Sequence, residues 1–454
     1  MTFPHLETAS VFINQSAGDS ENNASGCKSS PSIRPVCVLR TANPDGQDTF
    51  PLSPAGKLYN RTPRRHFGGY LFCDISGFTD MVERFSSQGD LGIERVSSVL
   101  SQLFKSLADV IDAYCGDIIK YAGDALLVFF PARGTHDMRS AVWRMCSAAI
   151  KLHLALATVC DTFSDVVLKI KVGCGAGEMW AMHIGGEDNR YEYIFAGQPV
   201  SQAVDAESFA SPGSVIVTSN ILAILDDQSP QATPIDDRKI FYRLNRLSFW
   251  PTDMVEPVLY FPINVNNLSF GLQVALMNSY VAGRLTDTLD LGKDLVHQVS
   301  EFRFVTVLFC SIRHKNAYQW PTSADMVSKA ANEVFKLLKM TGGDINKALV
   351  DDKGFVILGA FGLPFYSHED DQLRAISCAV KIAQVIREMG LVSSIGVTSG
   401  RCYCGIVGSV SRREFTMIGD TVNTAARLMQ FLQKRHSQCY LECDDSNVMD
   451  FVDV

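Results

Sequence analysis

Two aspartates stand where chemistry is plausible. Asp74 closes the apolar run Tyr70-Leu71-Phe72-Cys73, and Asp124 immediately precedes the apolar run Ala125 to Phe130. A carboxylate at the edge of an apolar segment is costly unless it is solvated or paired. Two readings follow. The aspartates can cap neighbouring helices, or they can be paired oxygen ligands for a hard divalent cation engaged in phosphate chemistry. The residues after Asp74 favour the second reading. Ile75-Ser76-Gly77-Phe78-Thr79 is a short Gly-containing turn opening a helix, and the backbone N–H groups at a helix N-terminus hold phosphate oxygens. A metal carboxylate just before an anion-binding turn is what a Mg²⁺-bound triphosphate requires.

A second group lies far down the chain. Asn423 and Arg427 are four residues apart on a helix expected after Gly419-Asp420, a spacing that puts both on one face. Arg427 is either a solvated charge behind an Asp420 cap or a fork that clamps a phosphate, with Asn423 placing a sugar. Lys347, after Gly342-Gly343-Asp344-Ile345-Asn346, sits on an apolar strand and reads as an edge residue or a recognition group. Lys171, before Val172-Gly173, has the same two readings. The spacing of Gly173, Gly175 and Gly177 is not a dinucleotide fingerprint, because no helix opens there.

These residues need elements to hold them. The expected order is a strand at 70–75, a helix from Ile93 to Tyr114, strands at Gly116–Lys120 and Ala125–Phe130, a helix over 137–160 and a strand from Val167 to Cys174. The same order then returns. Phe72-Cys73-Asp74-Ile75 reappears as Phe309-Cys310-Ser311-Ile312, and Gly116-Asp117-Ile118-Ile119-Lys120 as Gly343-Asp344-Ile345-Asn346-Lys347. Val172-Gly173 through Gly177 reappears as Ile395-Gly396 through Gly400, and Ala196-Gly197-Gln198-Pro199-Val200 as Ile418-Gly419-Asp420-Thr421-Val422. A period this long marks a duplicated domain rather than a solenoid, and alternating strands and helices make each copy an α+β or α/β sandwich.

The copies have diverged in a complementary way. Ser311 replaces Asp74 in the second, while Ser201 and Asp205 replace Asn423 and Arg427 in the first. A site built between the copies is therefore complete once, and its symmetry mate is degenerate.

Composition sets outer limits. The chain has 454 residues, 46% of them hydrophobic and 20% charged, enough for a sizeable core, and its net charge of −8 speaks against nucleic acid as a partner. Thirteen cysteines show no zinc-finger or disulfide spacing, so buried thiols in a reducing cytoplasm are expected. No uninterrupted apolar stretch predicts a membrane span, and no secretory signal is recognisable. Residues 1–62, rich in Ser, Asn, Pro and Gly, read as a disordered leader. The first copy is expected over 63–265, a linker with a helix near Phe270 to Leu285 over 266–300, and the second copy over 301–454, with its last elements missing.

The motifs at 72–79, 116–126 and 418–427 resemble those of class III adenylyl and guanylyl cyclases. With Gly343–Lys347, Phe361–Pro364 and Cys404–Gly408, the chain is similar to the tandem catalytic domains of soluble, bicarbonate-responsive adenylyl cyclases. That resemblance implies two ferredoxin-like domains in a pseudo-symmetric intramolecular heterodimer, monomeric overall, converting ATP to cyclic AMP and pyrophosphate. It implies two Mg²⁺ ions, replaceable by Mn²⁺, on Asp74, Asp124 and the Ile75 carbonyl. It places Asp74, Ile75, Ser76, Gly77, Phe78, Thr79 and Lys171 around the triphosphate, Lys347, Thr416 and Met417 at adenine, Asn423 at ribose and Arg427 at the α-phosphate. Lys in place of Glu at 347 points to adenine over guanine. Regulation by bicarbonate or Ca²⁺ is a further expectation. Lys120 matches the lysine of a bicarbonate pseudo-site, but Val204 stands where its arginine is expected.

Overall fold

A computed structural model describes residues 62–86, 88–186, 190–226, 230–247, 300–316, 318–351, 354–364, 366–408 and 413–442. The expected leader up to residue 61, most of the linker with its helix, and the chain from 443 onward lie outside the described residues.

The first copy starts with strand β1 (Arg64–Ser76), helix α1 (Phe78–Ser86) and helix α2 (Asp90–Ala113). Strands β2 (Asp117–Ala122) and β3 (Ala125–Ala132), helix α3 (Met138–Thr162) and strand β4 (Lys169–Gly185) complete a βαββαβ unit. β1 lies between β3 and β4, antiparallel to both, giving the order β2-β3-β1-β4. This is the ferredoxin-like arrangement. Strand β5 (Tyr191–Ala196) pairs with β4, and helix α4 (Gln198–Ser208) follows. After α4 come β6 (Val215–Thr218), α5 (Ser219–Ile224), β7 (Gln231–Pro234) and β8 (Phe241–Arg246), which extend the sheet past β4.

The second copy repeats the plan. It runs β9 (Glu301–Arg313), α6 (Ala324–Thr341), β10 (Asp344–Asp351), β11 (Gly354–Phe361), α7 (Asp371–Glu388), β12 (Val392–Gly408), β13 (Arg413–Ile418) and α8 (Asp420–Glu442). Its sheet order, β10-β11-β9-β12-β13, matches β2-β3-β1-β4-β5. Strands β6 to β8 have no counterpart among its described residues.

The glycines of β4 are packing devices. A Cβ on Gly173 would collide with the Ala203 carbonyl of α4, and one on Gly175 with that of Pro199. Gly396 of β12 meets Ala425 of α8 in the same way. This close approach lays α4 and α8 flat on their strands and accounts for Gly173 and Gly175 without a nucleotide loop, while Gly177 takes a positive φ of +146°.

Helix α3 is long and apolar enough to cross a membrane. However, Ala141, Val142, Met145, Ala148, Ala149 and Leu152 are buried in the first core, against Leu71 and Val172 among others. The described cysteines are all free, and most are buried.

The cores are exchanged between the copies. Tyr403, Val407 and Ile418 of the second copy sit in the first core, and Met182, Ile184, Ile194 and Ala196 of the first sit in the second core. A third apolar cluster, built on Tyr70, Ile119, Phe129, Tyr193 and Phe195, packs against Leu349 of the second copy. Much of the seam is therefore buried hydrocarbon, the dominant stabilising term in association.

Candidate active site

The central strand of the first sheet ends on the first functional cluster. Asp74 stands opposite Ala125 of β3 and opposite Lys171 of β4. The β2–β3 turn, closed through Gly123 at φ +71°, brings Asp124 alongside. Burial, and then the Asp74 charge, push the Asp124 carboxyl up to about 7. Lys171 Nζ lies 3.3 Å from Asp74 Oδ2 and 3.2 Å from Glu207 Oε1. Partial burial would lower the pKa of that ammonium, but the Glu207 and Asp74 carboxylates outweigh it and hold it above its ordinary value.

β1 stops at Ser76, Gly77 takes φ +88°, and α1 begins at Phe78. Ile75 and Phe78 are buried in the core, so they offer the site main-chain groups only. Ser76 Oγ is buried with no hydrogen-bond partner. Two crowded carboxylates, one of them reluctant to ionise, suit a hard cation. Among the described residues no group of three His, Cys, Asp or Glu side chains is arranged for a metal. Mg²⁺ needs no such group, since it is commonly bound through one or two carboxylates and completes its shell with substrate oxygens. The residues present fit that ion.

The second cluster comes from the other copy. Lys347 is only 3% exposed. Its Nζ donates to the main-chain carbonyl of Tyr121 in the first copy and to Thr416 Oγ1 at 2.9 Å, and it lies 3.3 Å from Glu414 Oε1. Burial lowers the Lys347 pKa below its ordinary value, with Glu414 opposing. Glu414 Oε2 in turn accepts the Tyr121 N–H at 3.1 Å. Lys347 lies on β10, at the border of its sheet, yet it is buried beneath the first copy. Met417 is fully buried and presents only its main chain.

Helix α8 supplies the third part. Asn423 Nδ2 donates to Thr79 Oγ1 of α1 at 3.0 Å, a direct tie between the sugar candidate and the anion turn. Arg427 does not join it. Its side chain is 71% exposed and faces Asp420 Oδ1 at 3.6 Å, while Asp420 Oδ2 accepts from Thr424.

The mate of the Lys347 site is closed. Lys120 Nζ donates to Glu192 Oε2 and to the Ala348 carbonyl of the second copy, both at 2.5 Å. Arg190 Nη2 reaches Glu192 Oε1 at 2.5 Å, so the second cation beside Lys120 is Arg190, not residue 204. Each lysine thus pairs with a glutamate of its own copy and reaches the carbonyl one residue past the other lysine. Glu192, Glu207 and Glu414 belong to none of the motifs legible in the sequence. Only the repeat could have revealed Glu192 and Glu414, which both stand five residues before a matched glycine, Gly197 and Gly419.

The family model described as "Adenylate and Guanylate cyclase catalytic domain" matches residues 68–247 and 297–436, covering both copies. The chain belongs to this family. It is 27% identical over 396 residues to adenylate cyclase type 10 of Homo sapiens, covering 82% of the chain and 24% of that protein. To adenylate cyclase type 10 of Mus musculus it is 28% identical over 405 residues, covering 85% of the chain and again 24% of that protein. The chain therefore spans about a quarter of the length of these relatives. Among solved structures, a class III adenylyl cyclase-like ATP-binding protein from Pseudomonas aeruginosa superimposes with a TM-score of 0.52 at 14% identity, over 81% of the chain and 82% of its own. That likeness concerns the fold.

Proposed function

We propose that the two copies form the catalytic unit of an adenylate cyclase, converting ATP to 3′,5′-cyclic AMP and pyrophosphate at one site between them, for intracellular cyclic AMP signalling. The carrying observation is complementary loss joined across a seam. Asp74 and the anion turn survive only in the first copy, Asn423 and Arg427 only in the second, and Asn423 meets Thr79. The similarity to adenylate cyclase type 10 supports the reading.

In this reading Asp74, Asp124 and the Ile75 carbonyl hold two Mg²⁺ ions, or Mn²⁺ in their place. Bound there, the ions lower the pKa of the ribose 3′-hydroxyl and neutralise phosphate charge. The N–H groups over 75–79 receive the triphosphate, and Lys171 exchanges its carboxylate partners for phosphate oxygens. Lys347 donates to a ring nitrogen of adenine, with Thr416 and the Met417 main chain beside the base. In doing so it gives up one of three present partners, and the Tyr121 carbonyl, which belongs to the other copy, is the one a shift of the seam releases. Asn423 orients the ribose. Arg427, held only by an exposed contact to Asp420, turns inward to meet charge growing on the α-phosphate as the 3′-oxygen attacks in line. Positioning and charge stabilisation carry the rate.

A guanine-selecting site would need an acceptor at 347, which the ammonium does not provide. The test is to incubate the full 454-residue chain with Mg-ATP or Mn-ATP and separate nucleotides by chromatography, with Asp74→Ala as control. Cyclic AMP from the wild type alone supports the assignment. No product from folded protein with either metal would refute it.

A further inference from the structure

Asn346 occupies the point where β10 slips against β11. Ile345 faces Gly359 and Lys347 faces Leu358, which leaves Asn346 as the extra residue of a bulge. Regular strands send neighbouring side chains to opposite faces, and a bulge breaks that alternation. The contacts follow suit. Ile345 and Ala348 both belong to the second core. Asn346 Nδ2 instead reaches the Phe415 carbonyl at 3.5 Å, and Lys347 reaches Thr416 next door at 2.9 Å. Asn346 and Lys347 therefore both address β13, on the base side of the candidate site.

Asn346 is 9% exposed, and its Oδ1 is buried with no hydrogen-bond partner. Chemistry fixes which atom is left over. A main-chain carbonyl only accepts, so the amide nitrogen must face Phe415 and the oxygen must point elsewhere. Buried acceptors are rarely left unmatched, and one that is needs an explanation. The first copy has the same bulge between Ile118 and Lys120. There the equivalent residue is Ile119, packed in the apolar cluster between the copies. The degenerate half fills the position with hydrocarbon, while the complete half keeps an amide with an open acceptor beside Lys347.

We infer that Asn346 is a specificity-determining residue. Its Oδ1 accepts a hydrogen bond from the exocyclic amino group of the purine that Lys347 and Thr416 hold. The inference rests on the nucleotide-site reading above and deepens it. A 6-amino purine offers a donor there, whereas a 6-oxo purine sets one acceptor against another. Lys347 alone distinguishes ring nitrogens, and Asn346 adds a reading of the 6-position.

The experiment compares ATP with purine riboside 5′-triphosphate, which carries hydrogen in place of the 6-amino group. Binding to the full chain is measured by displacement of a fluorescent ATP analogue, and turnover by chromatography. A hydrogen bond of ordinary strength predicts about a tenfold preference of the wild type for ATP. Asn346→Leu, of similar shape, and Asn346→Ile, the residue of the other copy, should weaken ATP by about that factor, mainly in KM. The amino-free analogue should be little affected, so the preference collapses towards one. Equal loss for both nucleotides would show a purely structural amide and overturn the inference. So would an unchanged preference in either folded variant, or a wild type that does not distinguish the two nucleotides. Failure of the nucleotide reading looks different: the wild type would then bind neither nucleotide, and the inference would fall with it.

Discussion

Glu414 concentrates two tasks in one carboxylate, and its removal should be felt in stability before activity is considered. Oε1 lies 3.3 Å from the buried Lys347 ammonium, and Oε2 accepts the Tyr121 N–H of the other copy at 3.1 Å. Deleting one partner of a buried ion pair costs about 3–5 kcal/mol, because the other charge is stranded. Two features reduce that figure. The Glu414 side chain is 22% exposed, so the pair is partly screened, and Lys347 keeps the Tyr121 carbonyl and the Thr416 hydroxyl. For Glu414→Ala the expected loss is therefore about 2–3 kcal/mol. Glu414→Gln preserves an acceptor for Tyr121 and should lose about half of that. Urea unfolding followed by intrinsic fluorescence reads the midpoint shift directly. Adding Lys347→Met to Glu414→Ala removes the stranded ammonium and should restore at least about 1 kcal/mol. A loss below about 0.5 kcal/mol in Glu414→Ala, or a double variant no more stable than the single, would refute the picture of a buried seam charge neutralised by Glu414.

Three other expectations follow from the same geometry. Asp74→Ala and Asp124→Ala should each reduce cyclic AMP formation at least about a thousandfold while leaving the unfolding midpoint near or above that of the wild type, since each relieves carboxylate crowding; retained activity in either argues against the metal assignment. His66 is partly exposed beside Phe129 and Phe195, with its Nε2 buried, and desolvation of the ring, then Arg64, lowers its pKa to about 4. The unfolded chain takes up that proton below about 6.5, so stability should fall as pH drops from about 6.5 towards 4, by about 2 kcal/mol at pH 5 from this residue. His66→Gln should flatten the acid side of the midpoint curve, and an unchanged slope would show His66 protonated in the fold. Bicarbonate titrated at fixed pH and ionic strength should leave the cyclase rate flat, because Lys120 is already held by Glu192 and the Ala348 carbonyl; a saturable rise would show that an anion displaces Glu192.

The repeat and the two residue groups proposed for the site were legible in the sequence, because those signals are local. Asp74 before Gly77 and Asn423 before Arg427 are recognisable by spacing alone. Element boundaries were less legible: β4 was expected to end at Cys174 and runs on to Gly185, since its far half pairs with β5 and enters the other core. The residues that join the halves were not visible. Glu414 acts across 293 positions on a main-chain N–H, and a backbone partner leaves no trace in residue types. Arg427 shows the opposite limit. Its spacing matched, but its side chain lies in solvent against Asp420, because spacing fixes a helix face and not a side-chain rotamer.

The reciprocal lysine contacts have a consequence for how such a protein can diverge. Lys347 ends on the Tyr121 carbonyl and Lys120 on the Ala348 carbonyl, so on the accepting side each join depends on backbone, which every substitution except a shift of register preserves. After duplication, either half can lose its working side chains one at a time while the two halves remain fastened. Drift in chemistry is thereby uncoupled from drift in assembly, and a one-sided catalyst can arise through intermediates that all still fold as a pair.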